Sequence, residues 1–297
     1  MILRAHKAEA NRSGYPQPNA IRASIRNRFA AYISGLQRRS KAVARFFECR
    51  MEVVALAWAA IFGLGCLPRL LFPATPVATM GETALLIVPY ALIALAPITG
   101  WVVATGSFPR GVLSAQPSLR LSLYGRWRKL SVLEARQDPA FGPAGFMASL
   151  LIGLLLNVVV RSFEFLLAMP AMGAEAPQWG YILFGLMAAD VIVMTFFYMV
   201  CFVMALRTVP LFPRMLLFAW MLDIAMQLAI AKTIMATSAV PAQVTAPLHA
   251  LLEGNISKVL ISAFVWLPYL ILSDRVNVTY RGRASCSART RLALTVN

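Results

Sequence analysis

A set of polar side chains lies within otherwise apolar stretches of this sequence: Asn157, Arg161, Glu164, Asp190, Asp223, Gln227 and Lys232. These are the residues whose type and position could do chemistry. An ionisable group at the centre of a membrane helix costs about 2.5–3.5 kcal/mol on insertion scales, so such groups mark ion pairs, proton relays or solute pathways. Arg161 stands one helical turn outward of Asn157, the centre of its stretch, a rise of ~6 Å. Asp190, on the next stretch and running the opposite way, stands ~4–5 Å outward of its own centre. The matching depths predict an Arg161–Asp190 ion pair, which either fixes helix register or belongs to a polar pathway. Glu164 follows Arg161 at i+3 and is placed to share its charge. Asp223 lies near the centre of a later stretch, with Gln227 one turn and Lys232 two or more turns outward. No cation shares its depth by residue count. It is therefore expected either to be protonated in place or to act in a proton or cation relay.

The elements that must position these groups are six apolar stretches, near 53–72, 84–105, 146–168, 181–206, 215–236 and 256–273. Each approximates the ~20 residues with which a helix crosses ~30 Å of hydrocarbon. In lipid the backbone must satisfy its own hydrogen bonds, which a helix does internally. The fold class expected is an all-α polytopic membrane protein with six transmembrane helices. The sixth stretch is the shortest and the most polar at its start.

Lys and Arg set the orientation. The segments 1–52, 106–145, 207–214 and 274–297 carry 11, 6, 2 and 5 of the 28 cations, while 73–83, 169–180 and 237–254 carry none. Loops rich in Lys and Arg stay in the cytoplasm, so both termini are expected there. The other four, Arg69, Arg161, Lys232 and Lys258, fall toward the outer ends of stretches. They could line an outward vestibule for anions, although Glu82, Glu164, Glu175 and Glu253 share that level and long basic side chains also snorkel.

The chain is 297 residues long, 59% hydrophobic and 13% charged, with a net charge of +16. A soluble domain carries about 25% charged residues. Nucleic acid is therefore not the partner that the positive charge implies. The lipid bilayer is, with anionic headgroups at the basic cytoplasmic segments. Cys49 and Cys286 fall on the basic side, and Cys66 and Cys201 within apolar stretches, so no disulfide framework is expected. The first 50 residues hold no apolar core of signal-peptide length.

Organisation reads as a basic cytoplasmic amphipathic segment (1–51), a two-helix transmembrane hairpin (52–106), a basic interfacial loop (107–140), a four-helix transmembrane domain (141–281) and a basic cytoplasmic tail (282–297). In the first, Ile21, Ile25, Phe29, Ile33 and Leu36 recur at helical spacing among Arg22, Arg26, Arg28, Arg38 and Arg39. That pattern suits a surface helix; a charged tail that only sets orientation is the alternative. In the loop, Leu119, Leu121, Leu123, Trp127 and Leu130 alternate with cations, which suggests a second segment on the cytoplasmic leaflet with Trp127 at the interface. Pro89, Pro97 and Pro268 lie inside apolar stretches, where proline kinks helices, but not in matching halves.

From Phe141 the residues Phe141-Gly142-Pro143-Ala144-Gly145-Phe146 lead into Leu150-Leu151-Ile152-Gly153-Leu154. Phe212-Pro213-Arg214 precedes the fifth stretch. The end reads Val265-Trp266-Leu267-Pro268-Tyr269-Leu270, then Ser273-Asp274-Arg275-Val276 and Thr279-Tyr280. Over residues 141–281 the chain resembles the bacterial membrane family called domain of unknown function 2569. Met147, Ala148 and Asp274 depart from its pattern. The resemblance implies a four-helix unit in a bacterial inner (plasma) membrane and no established chemistry.

Catalytic, cofactor-binding and metal-binding signatures are lacking. His6 and His249 fall on opposite sides of the bilayer, and no metal-binding helix motif, phosphate loop or nucleophile elbow occurs. The leading expectation is a non-catalytic accessory or scaffold protein, not an enzyme and without cofactor. The alternative is a small-solute, ion or proton transporter or channel with a polar intramembrane lining.

Overall fold

The structure is a computed structural model that describes residues 18–76, 79–110, 116–117, 126–172, 176–237 and 240–286, without the side chains of 18–34, 36–38 and 242. Among them are eight helices: α1 (Pro18–Leu71), α2 (Met80–Ser107), α3 (Val132–Gln137), α4 (Phe146–Ala168), α5 (Gln178–Leu206), α6 (Phe212–Ala236), α7 (Ala242–Leu272) and α8 (Asp274–Arg281). Strands β1 (Trp127–Lys129) and β2 (Arg283–Ser285) form a small antiparallel pair. Six helices are long and apolar enough to cross a membrane; in α1 the span falls within Arg39–Leu71.

Helix α5 is the hub. Its most apolar window is 67% buried, against 17% for those of α1 and α7. It packs against α2, α4 and α6, while α7 packs chiefly on α6. The α2–α5 approach is close because position 100 is glycine: a Cβ there would stand 2.7 Å from the Phe196 carbonyl oxygen. Helix α1 bends at Arg50, whose backbone (φ −125°, ψ 19°) leaves the helical region. The backbone is helical from Pro18 onward. The side chains of Ile21, Ile25, Phe29, Ile33 and Leu36 lie outside the described residues, as do Leu119, Leu121 and Leu123 of the long loop.

The structure departs from the sequence reading in two elements. Helix α7 starts at Ala242 rather than near Ile256, capped by Pro241 in an extended conformation. Hydropathy marks the part of a helix that lipid accepts, and the polar residues before Ile256 form helix without being apolar. The second departure is Trp127. It sits in β1 opposite Ser285, with the Arg283 guanidinium 5.1 Å from its ring. The long loop is thus tied to the segment after α8. Strands this short carry no periodicity that a sequence could display.

The buried apolar residues fall into two clusters. One joins Met147–Val158 of α4, Met194–Leu206 of α5 and Phe212–Trp220 of α6, with Val276 and Tyr280 of α8 beneath. The other joins Phe165 and Leu166 of α4, Leu183–Val191 of α5, Ile230 and Ile234 of α6, and Leu248 and Leu252 of α7. Between them, on α4, α5 and α6, runs a layer of polar side chains.

Candidate functional site in the polar layer

Arg161 occupies the centre of that layer. It faces inward on α4, one turn from Val158 of the first cluster and one from Phe165 of the second, and is 9% exposed. Its planar guanidinium uses two edges. Nε and Nη2 donate to Asp190 of α5, at 3.2 Å to Oδ2 from Nε and 2.8 Å to Oδ2 from Nη2. Nη1 and Nη2 donate to Asp223 of α6, both at 2.7 Å. This double fork is available to Arg alone, since Lys presents a point charge. Asp190 is 1% exposed and Asp223 0%.

Asp223 therefore has its cation. Depth counted along Cα positions hid this, because an Arg side chain reaches several ångströms from its own turn. The Tyr198 hydroxyl, two turns along α5 from Asp190, also donates to Asp223 at 2.7 Å. Gln227, one turn beyond Asp223 and 0% exposed, donates to Asp190 at 3.0 Å. Asn255 of α7 donates to the Gln227 carbonyl oxygen at 3.3 Å. Lys258, one turn further on α7, reaches the Asn255 amide oxygen at 3.4 Å and pairs with Glu164 of α4. The result is a continuous chain of polar contacts, Tyr198–Asp223–Arg161–Asp190–Gln227–Asn255–Lys258–Glu164. It runs from the packed interior to an ion pair whose side chains are 53% and 33% exposed. A small cavity beside Arg161 and Asp190, walled by Glu164, Met187, Leu251 and Asn255, has room for about one water.

The structure brings together most of the residues expected from sequence. Arg161–Asp190 pairs as expected. Glu164 does not share Arg161; the two carboxylates already occupy both forks, and Lys258 of α7 takes Glu164. Asn157 stays apart, its buried Oδ1 without a partner one turn below Arg161. Lys232 is exposed and outside the cluster. Nor do the outer cations form a vestibule. Arg69 donates to the Leu166 and Leu167 carbonyls at 2.7 and 2.9 Å, satisfying the open C-terminal end of α4. The reading from sequence missed Tyr198 and Asn255 as members of the cluster, and it set Lys258 among the outer cations rather than opposite Glu164. The i, i+3 spacing of Asn255 and Lys258 on one helix face was the available signal.

Chemically the layer is unbalanced. One guanidinium faces two carboxylates, so the fully ionised cluster carries a charge of −1 out of contact with solvent. One proton on either acid makes it neutral. Among the described residues no group of His, Cys, Asp and Glu is placed to hold a metal, and all four cysteines are free. No family model matches the chain, and no curated protein or solved structure matches it.

Proposed function

We propose that the protein is a multi-pass transporter or channel of a bacterial inner membrane, with its basic loops in the cytoplasm, and that the Arg161–Asp190–Asp223 cluster takes up and releases one proton as it works. The observation that carries this reading is the sharing of one buried guanidinium by two buried carboxylates. Ionised groups are costly in hydrocarbon, and one proton moving on or off either acid switches the cluster between a charge of −1 and neutrality. The ionisable groups facing the two acids are Arg161 from α4 and Tyr198 from α5, beside the neutral Gln227 amide of α6, with Glu164 and Lys258 at the outer end of the chain. The accessory reading draws on the lack of a reactive cluster and on intramembrane charges that can pair off; the second carboxylate on Arg161 is what favours the transport reading over it. The resemblance to domain of unknown function 2569 fits the same location and assigns no competing chemistry.

The test is proton flux in proteoliposomes, followed with an internal pH dye under an imposed gradient. The parent protein is expected to pass protons, alone or with a solute. Asp223→Asn, which removes the odd charge, is expected to insert normally and lose flux. A parent without flux, or an Asp223→Asn variant with full flux, returns the protein to the accessory reading. The check on that reading is a stoichiometric partner retained in mild detergent.

A further inference from the structure

A second imbalance of charge lies at the opposite end of the fold, beneath α5 and α6. Helix α8 turns under the bundle after Ser273 and is held there by the Tyr280 hydroxyl, which donates to the Ala205 carbonyl at 2.7 Å. It ends at Gly282 in a left-handed conformation (φ 57°) that sends the chain into β2. Arg281 and Arg283 flank that turn, and both are buried, at 5% and 4% exposure. Both reach the same neutral side-chain oxygen, and Arg281 Nη1 also lies 3.4 Å from the Ile271 carbonyl oxygen. Asn277 Oδ1 accepts from Arg281 Nη1 at 2.9 Å and from Arg283 Nε at 3.0 Å. Its amide nitrogen is engaged with the Ile271 and Ser273 carbonyls, which fixes the oxygen toward the arginines.

Arg281 Nη2 is buried and has no hydrogen-bond partner. Arg214, at the start of α6, is a third cation close to the same guanidinium. Burial and these two neighbours push Arg281 down to about 10. The four ion pairs among the described residues include neither Arg281 nor Arg214. A narrow pocket opens here, walled by Gln116, Pro210, Pro213 and Tyr280, with Arg214 and Arg281 on its lining. It admits about one water-sized group. A buried guanidinium with one N–H unsatisfied is expensive, and that N–H matches the oxygen of an oxyanion in geometry and charge.

We propose that Arg281 and Arg214 form a binding site for a phosphate group, one oxygen of which enters the pocket to meet Arg281 Nη2. The phosphate is either that of a lipid headgroup at the membrane surface or free inorganic phosphate; the chemistry of recognition is the same. This site is independent of the proton reading and survives its failure.

The experiment uses full-length, delipidated protein at constant ionic strength and follows thermal unfolding and binding by calorimetry. One arm adds inorganic phosphate. The other compares nanodiscs of phosphatidylcholine with nanodiscs containing phosphatidylglycerol. Saturable stabilisation by phosphate alone identifies a small-anion site, and stabilisation confined to phosphatidylglycerol identifies a headgroup site. Arg281→Gln is expected to weaken binding about tenfold or more, as the loss of one charge-assisted hydrogen bond does. Arg214→Gln, on a half-buried side chain with less structural duty, is expected to weaken it several-fold while leaving the fold intact. Absence of stabilisation in both arms, equal stabilisation by added salt, or unaltered binding in Arg214→Gln overturns the proposal.

Discussion

Replacing Arg161 by Gln should do far more damage than replacing either acid that it holds. The substitution removes all five donor contacts to Asp190 and Asp223. It leaves two carboxylates with side chains 2% and 0% exposed and no cation between them. Breaking a buried pair from one side costs about 3–5 kcal/mol, mostly the penalty of the stranded charge. Against a native stability of about 5–15 kcal/mol, that is a third or more of the total in a weakly stable protein. Asp223→Asn acts differently. It keeps the fork to Asp190, and the new amide oxygen in the place of Oδ2 still accepts from Arg161 Nη1 and Tyr198, while the amide nitrogen in the place of Oδ1 gives up the bond from Arg161 Nη2. The loss of charge assistance, about 1.5–3 kcal/mol, is offset by removal of the surplus negative charge, so the net cost should stay below about 2 kcal/mol. The triple variant Arg161→Gln, Asp190→Asn, Asp223→Asn is neutral and can hydrogen-bond throughout, and should recover most of what Arg161→Gln alone loses. Unfolding in mixed micelles with rising SDS, followed by fluorescence of the buried Trp220 one turn from Asp223, measures the series. If Asp223→Asn is as unstable as Arg161→Gln, or the triple variant is no better than the single, the charge arithmetic is wrong.

Gly100→Ala puts a Cβ 2.7 Å from the Phe196 carbonyl oxygen and 3.2 Å from Met199 Cβ. It should cost about 1–3 kcal/mol by prying α2 from α5, read as a fall in thermal midpoint in detergent. Lys258→Gln should change stability by less than about 1 kcal/mol, because its ion pair with Glu164 is substantially exposed; a larger loss in the same assay would mean that the pair holds α7 to α4. At the start of α3, Ser131 and Glu134 form a capping box. The Ser131 main-chain N–H and hydroxyl, then Arg128, hold the Glu134 carboxyl below its ordinary 4.5. A depressed acid contributes stability above its unfolded value and loses it as pH falls through the folded one. Amide protection in α3, corrected for the intrinsic exchange rate, should therefore be full above pH 4.5 and decline as pH falls below it, and Ser131→Ala, which removes the hydroxyl but keeps the main-chain N–H, should weaken that dependence.

Hydrocarbon requires uninterrupted apolar runs, and such runs are visible one residue at a time. That is why the six long helices are legible in the sequence. The Arg161–Asp190 pair was legible for a related reason: two charges at one depth on adjacent antiparallel helices have few other partners. Asp223 was not, because its partner reaches it along a side chain rather than along an axis. Lys258 was hidden by the choice of neighbour. Glu164 sits beside Arg161 in sequence but across from α7 in space. The pairing of Trp127 with Ser285 and the turn of α8 beneath the bundle depend on a few residues far apart in the chain, which leave no pattern of hydropathy or charge.

The polar layer has a consequence for how the protein is made. Arg161 is synthesised first, Asp190 next and Asp223 last, so the α4–α5 hairpin can leave the insertion machinery with Arg161 and Asp190 already paired before α6 emerges. Helix α6 brings Asp223 and Gln227, and with α7 it has the lowest mean hydropathy of the six, 1.6. Its surest way into the bilayer is along the flank of a hairpin already waiting with a guanidinium edge unspent. A nascent chain carrying Arg161→Gln should thus fail at the fifth crossing rather than the third, a delay that glycosylation mapping of truncated chains would reveal.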